Sequence, residues 1–387
     1  MDACPRDFFL NSLIFPSVFS LSLFFAQPLY AASFSKTHAP QASRSPLIAP
    51  RKATNLLKET GNSPLPSSGW NSGDAPLQPL THVSAENDLI ASAQAFYVSK
   101  GGSNRNSGSA QKPWASIQYA VSKLQAGDTL FITEGTYSEN IKLSTSGTQG
   151  NFITIEGVGQ VILDGSDLTQ NLPGFDTNGQ DYIRFKNLTI NHIASAAIQI
   201  ESGSQFIEVD GLHADGNKYA VRISDASHVT VRHAYANHSY NAFRAYGMST
   251  DLLFEDVEAY NSKDRYEGMD PDYLNGDGFI FEREVSNVTV RNAISANHWD
   301  AGFDIKASNV LIENVTSFGN KNNFKTWGNN ITIRSSLSHH AKRQLRSNGS
   351  TVEGNGMTVL DGTVRLVNVT LVDNWPFAHF DYETSFN

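Results

Sequence analysis

From residue 183 onward the chain repeats a short alternation of apolar and polar positions: "IRFKN" at Ile183, "IEVDG" at Ile207, "VTVRH" at Val229, "LLFED" at Leu252, "VTVRN" at Val288, "VLIEN" at Val310, "ITIRS" at Ile331 and "VRLVN" at Val364. A period of two is the pattern of a strand with one buried face. Most runs end in a turn former, such as Asn187, Gly211, Asp256, Asn292, Asn314 or Asn368. Most anchors follow one another at 21 to 24 residues, and a second inward apolar position follows each by about 14 or 15: Ile198, Val221, Phe243, Phe303 and Phe324. Two short strands in each repeat, with no helical period between them, predict the stacked coils of a parallel β-helix, an all-β solenoid. Two intervals are longer, 36 residues after Leu252 and 33 after Ile331. The excess is expected to leave the stack as loops, the first of which delays its second strand so that Phe279 takes the inward place.

Ahead of the repeats, "KPWASIQYAVSKLQAGDTLFITEGTYSENI" predicts a short amphipathic helix, Trp114 to Leu124, then strands. Such a helix would cap the N-terminal end of the solenoid, where a first rung exposes unpaired edge groups. Residues 8 to 26 form an apolar run followed by small residues, so 1–32 is expected to be a signal peptide and the protein secreted, with no membrane segment after cleavage. Residues 33–93, rich in Ser, Pro, Asn and Thr, are expected to form a flexible linker, and 94–387 the β-helix domain. The single cysteine, Cys4, precedes the apolar run, so the mature chain has no disulfide and no cysteine metal site. Seven Asn-x-Ser/Thr triplets, Asn287 and Asn314 among them, are read as turn chemistry rather than as glycan acceptors. No C-terminal cap is evident after the Val364 coil, which reads as a fragment or a shortened chain.

With 40% hydrophobic and 17% charged residues the chain can bury a large core. A net charge of −9 without a basic block argues against nucleic acid as partner. A polyanionic ligand would need local help, from a metal or a strip of basic side chains.

The repeat register supplies both. If Phe243, Phe279, Phe303 and Phe324 point inward, the residues after them share one outer face: Arg244, Ile280, Asp304 and Lys325, with Arg222 one coil earlier. Coils stack about 4.8 Å apart, so Asp304 and Lys325 are neighbours. Asp277 in "NGDGF" and Asp300 in "WDAGF" precede the same strands on adjacent coils; Lys306 shares the face of Asp304 but lies farther along. Carboxylates on adjacent coils repel unless a cation neutralises them, and an oxygen-only donor set favours Ca²⁺. A cation beside a lysine suits β-elimination on a polyuronate, an acidic polysaccharide. Neutralising the C6 carboxylate acidifies the C5 proton, and Lys325, its pKa lowered by the cation, would remove it. Arg244 and Arg222 would hold further carboxylates.

These motifs resemble the calcium-dependent pectate lyases of polysaccharide lyase family 9, over roughly residues 95 to 335. The opening "FYVSKGGSNRNSGSAQKPWASIQYAVSKLQAGDTLFITEGTY" is shared by many β-helix proteins; "NGDGF", "WDAGFDIK" and "NNFK" are more specific. The resemblance implies a secreted, right-handed parallel β-helix, expected as a monomer, with Asp277, Asp300 and Asp304 as calcium ligands and Lys325 as base. Where the family pattern has a second consecutive Asp this chain has Ala301, which weakens the expected grip on the metal unless Asp270 or Asp272 substitutes. Other readings keep the fold: a lyase or C5-epimerase on another uronate polymer such as alginate, a glycoside hydrolase, or a non-catalytic β-helix that binds polysaccharide.

Overall fold

The computed structural model describes residues 93–263, 275–345, 350–376 and 378–380. The expected signal peptide and, but for residue 93, the expected linker lie outside the described residues, as do Asp270 and Asp272. Every anchor run of the sequence forms a strand in one 17-stranded sheet, and the second inward positions lie in a 10-stranded sheet. Coil stacks on coil in parallel and in register: Ile207, Val229, Leu252, Val288, Val310, Ile331 and Val364 follow one another without slippage. The architecture is the parallel β-helix that the periodicity predicts. Strands with one face buried in the core of a solenoid have little choice of register, because a slip of one residue would turn each inward side chain outward.

The core runs along the axis. Phe243, Phe279, Phe303 and Phe324 are buried and stack ring on ring, with centroids 5.0, 4.8 and 5.3 Å apart. Such pairs add about 0.5–1.5 kcal/mol each beyond the burial of their area. Phe254 closes on the same stack from the facing sheet. The longer interval after Ile331 leaves the stack as expected, carrying a small antiparallel pair of strands, Gln344–Leu345 with Thr351–Val352.

Five of the Asn-x-Ser/Thr triplets start at turns, where Asn187, Asn287, Asn314, Asn330 and Asn368 hold positive φ. Asn287, Asn309 and Asn330 hold positive φ on successive coils, a conformation that asparagine tolerates. Asn309 Nδ2 donates to Asn287 Oδ1 at 3.2 Å and Asn330 Nδ2 to Asn309 Oδ1 at 2.9 Å. Asn314 and Asn292 form a second ladder at 2.8 Å. Their amides are engaged with neighbouring coils.

The N-terminal helix is shorter than expected, Ile117–Val121 rather than Trp114 to Leu124. Glu139 fixes its start, its carboxylate accepting from the N–H groups of Ile117 and Gln118, both at 3.0 Å, and from Ser116 Oγ at 2.6 Å. Trp114 is drawn out of the helix instead: it bridges Val98 as extended chain, and its ring stacks on Phe96 at 5.0 Å. Ile117, Ala120 and Val121 still bury one helical face in the core.

Candidate active site

The short strand Phe279–Phe281 and its neighbours Ala301–Ile305 and Asn322–Thr326 build the site. Phe279 pairs with Phe303 and Phe303 with Phe324, so Ile280, Asp304 and Lys325 form the expected outward column, continued backwards by Arg244 and Arg222. The glycines before Phe279 and Phe303 are required by packing. A Cβ at Gly302 would meet Ser317 Oγ at 2.1 Å, and one at Gly278 would meet Ser295 Oγ at 2.0 Å. These serines belong to a buried polar layer: Ser295 Oγ donates to the Gly302 carbonyl at 2.7 Å and Ser317 Oγ to that of Asn323 at 2.8 Å. The layer locks the turn that carries Asp300. His298 belongs to it as well, its Nδ1 accepting from the Ser262 N–H at 3.0 Å, while burial holds the imidazole down at about 3.

Asp277, Asp300 and Asp304 are 0%, 4% and 3% exposed, and each offers a carboxylate oxygen within 4.8 Å of the others. The three are not equivalent. Counting back two residues from Phe279 and Phe303 places Asp277 opposite Ala301, not Asp300, in a column that also holds Asn241, Asn322 and Asn355. In this column side chains cap the next backbone: Asn241 Oδ1 accepts from the Asp277 N–H at 2.8 Å, and Asp277 Oδ1 from the Ala301 N–H at 2.9 Å. Asp277 Oδ2 is buried without a hydrogen-bond partner. Asp300 Oδ1 accepts from Asn322 Nδ2 at 2.9 Å, and Asp304 Oδ1 from the Trp327 indole at 3.1 Å.

Lys325 Nζ donates to Asp300 Oδ2 at 2.8 Å and stands 3.7 Å from Asp304 Oδ2. Two further lysines join the cluster: Lys321 Nζ lies 3.5 Å from Asp300 Oδ1, and Lys306 Nζ 3.4 Å from Asp304 Oδ2. Burial, then the charges of Asp300 and Asp304, push the Asp277 carboxyl well above the usual range. Asp304 is also pushed up by burial, against the pull of Lys325 and Lys306. At Asp300 burial raises the pKa, but Lys325 and then Lys321 outweigh it and hold the carboxylate below its ordinary value. Burial alone would lower Lys325, yet Asp300, Asp304 and Asp277 together raise it. The lowered lysine of the sequence reading presupposes a cation; among these carboxylates the direction is the reverse.

The arginines sit farther along the face. Arg244 Nη2 donates to Glu282 Oε1 at 3.0 Å, and Glu282 Oε2 accepts from Lys306 at 3.0 Å, so Arg244 joins the triad through two side chains. Arg222 is held by Gln199 Oε1 at 3.1 Å and by the Tyr246 hydroxyl, and lies over the Tyr246 ring. Glu282, Lys321 and Trp327 were not among the sequence-derived candidates, and Lys306 was placed on this face without a role. Glu282 and Lys306 follow Ile280 and Asp304 by two residues, so period-2 alternation already puts them on the same face of adjacent coils.

An oxygen-only set of three carboxylates, one ending in an unpartnered buried oxygen, fits a hard divalent cation such as Ca²⁺. Among the described residues no helix is long and apolar enough to cross a membrane.

Comparison with known proteins places the chain within a family. "Pectate lyase PEL9" of Emericella nidulans is 27% identical over 223 residues, 55% of this chain and 50% of that protein. "Pectate disaccharide-lyase" of Dickeya chrysanthemi is 25% identical over 308 residues, 77% of this chain and 36% of that protein. The chain thus spans half or less of the length of these relatives. The crystal structure of pectate lyase Pel9A superposes with a TM-score of 0.51 at 18% identity, covering 73% of this chain and 79% of that one, a likeness of fold. The family model for the Pel9A-like, right-handed β-helix region matches residues 96–359. The chain belongs to this Pel9A-like family of right-handed parallel β-helix proteins.

Proposed function

We propose that the domain is a polysaccharide lyase that cleaves polygalacturonate by β-elimination. The observation that carries this reading is the position of Lys325. Its amine touches Asp300 at 2.8 Å, one rung from Asp304, with the side chain 17% exposed and so open to a chain lying along the outer face. The names of the relatives, a pectate lyase and a pectate disaccharide-lyase, support the same class.

In this mechanism Asp277, Asp300 and Asp304 would hold a calcium ion. When bound, the ion supplies positive charge that neutralises the substrate carboxylate, acidifies the C5 proton and draws the Lys325 pKa down. Lys325 in its neutral form takes the C5 proton. The C5–H electron pair becomes the C4=C5 double bond, and the C4–O bond breaks with its electrons leaving on the glycosidic oxygen, which is protonated from solvent. Arg244 and Arg222 bind uronate carboxylates on neighbouring sugars, Arg244 fixed by Glu282 and Arg222 by Gln199 and Tyr246. Trp327, beneath Lys325 with its ring centroid 5.6 Å from Nζ, limits where the ammonium swings. Secretion, with residues 1–32 removed and 33–93 as linker, belongs to this reading; N-terminal sequencing of exported protein checks it.

Incubation with polygalacturonate and calcium is expected to produce the ultraviolet absorbance of an unsaturated uronate, abolished by a chelator. No absorbance on pectate, alginate or glycosaminoglycan would end the lyase reading. A change of uronate composition without absorbance would instead identify an epimerase.

Ala301 favours a second reading, a non-catalytic β-helix that binds polysaccharide. It stands where a further carboxylate would complete the column, and three lysines already compensate the triad. Polygalacturonate retained by the parent and by Lys325→Ala alike, without turnover in either, would establish it.

A further inference from the structure

We propose that Lys306 and Lys321 are built-in counter-ions that compete with a divalent cation for Asp304 and Asp300, and so set a weak metal affinity at the triad. The inference rests on reading the triad as a metal centre and concerns how tightly that centre holds its ion.

The ammonium of Lys321 lies 3.5 Å from Asp300 Oδ1 and that of Lys306 3.4 Å from Asp304 Oδ2, both with side chains about one-fifth exposed. Each occupies an outer side of a carboxylate that a cation would need. Lys325 is accounted for as the base; these two have no part in proton removal. Their distribution is uneven. Among the described residues no lysine or arginine is ion-paired to Asp277, and its Oδ2 is left buried with no hydrogen-bond partner while Asp300 and Asp304 are each engaged twice over by cations. A ligand set with one free buried oxygen and two occupied carboxylates is only partly available to a metal.

Charge reinforces the geometry. Ala301, opposite Asp277, adds no carboxylate to the site, so the three carboxylates of the triad face three ammonium groups. An incoming dication meets a nearly neutral patch instead of a strongly negative one. It must either displace the lysines or tolerate them at short range in a partly buried site, where like charges are weakly screened. Displacement is open to both. Lys306 already donates to Glu282 Oε2 at 3.0 Å and keeps that partner when it leaves Asp304, and the Lys321 side chain is partly exposed. Their removal therefore raises the charge offered to the metal without touching a ligand.

The test is calorimetric titration of Ca²⁺ into the full chain and into Lys306→Met, Lys321→Met, the double variant and Lys321→Arg, with thermal melts to confirm folding. Each neutral variant is expected to bind calcium about tenfold tighter and the double variant tighter still, a like-charge effect in a partly buried site. Lys321→Arg, which keeps the charge, is expected to stay close to the parent. If a methionine variant does not fold, the glutamine variant at that position takes its place. Folded neutral variants that bind calcium no better than the parent, or none that bind at all, overturn the proposal. The outcomes separate it from the lyase reading. A parent that cleaves polygalacturonate beside variants of unchanged affinity sinks the counter-ion role alone. Tighter variants with no cleavage of any uronate polymer sink the lyase reading alone.

Discussion

Two columns of charged side chains run across the coils, and they differ in what surrounds them. On the outer face of the larger sheet Glu255, Arg291, Glu313 and Arg334 follow one another rung by rung. Signs alternate, and the pairs close at 2.6 Å for Arg291 with Glu255 and 2.7 Å for Arg334 with Glu313, all four side chains meeting solvent. On the smaller sheet Asp304 and Lys325 share the same rung spacing, but carboxylates of like sign converge there and are buried. The repeat gives both columns their spacing; burial and the order of signs separate a solvated ladder from a strained cluster. Like charges brought together out of water are the arrangement for which a ladder has no use.

The contrast is tested most severely by Lys325→Ala. If the buried column is catalytic, its base accounts for about 10²- to 10⁴-fold in rate, so unsaturated product from polygalacturonate should fall by that factor in protein still folded at the assay temperature, although the melting curve drops as buried Asp300 loses its nearest cation. Arg334→Ala, the corresponding deletion on the solvated column, should leave turnover unchanged. Equal activities in the two variants would remove the distinction.

Asp277→Asn comes next. The amide oxygen can still accept from the Ala301 N–H, so the turn is preserved, while a buried carboxyl is replaced by a neutral group. Without calcium the variant should be as stable as the parent or more so, by about 1–3 kcal/mol, because burial and the neighbouring carboxylates disfavour a charged group at this position. The calcium-dependent rise in melting temperature expected of the parent should vanish, since that rise measures metal held by the native state. A calcium response that survives in Asp277→Asn would place the ion elsewhere.

These contrasts were partly legible in the residues. Period-2 runs and the rings of Phe243, Phe279, Phe303 and Phe324 set the coil register, and with it the neighbourhood of Asp304 and Lys325, because a buried stack leaves each strand one way to lie. Helix length was less legible: the apolar spacing through Trp114 says nothing of the Glu139 carboxylate that starts the helix three residues later. Nor does Cα spacing show reach. Lys306 lies farther along its strand than Asp304, yet its long side chain bends back to 3.4 Å from that carboxylate. The pairing of Asp277 with Ala301 was available by counting from the two phenylalanines. What it does, leaving one carboxylate oxygen buried and alone, emerges only from the packed structure.

A milder test probes the far end of the buried column. Arg244→Gln removes a cation held by Glu282 but leaves the triad and Lys325 in place. If Arg244 binds a uronate equally in ground and transition states, KM for polygalacturonate should rise about tenfold with kcat little changed. A loss confined to kcat would instead make Arg244 a participant in the chemistry at the triad.

The smallest effect belongs to the solvated ladder itself. In Glu255→Gln the contact with Arg291 at 2.6 Å loses its negative partner, with the Arg291 side chain nearly half exposed. An exposed pair gains little in water and spends side-chain entropy to keep its geometry, so urea unfolding should shift by less than about 1 kcal/mol at low salt. Screening should erase most of that shift at high salt, where the Debye length drops to about 3 Å at 1 M. A larger, salt-resistant loss would mean that this column is energetically buried in spite of its exposure, and that spacing rather than burial governs both faces.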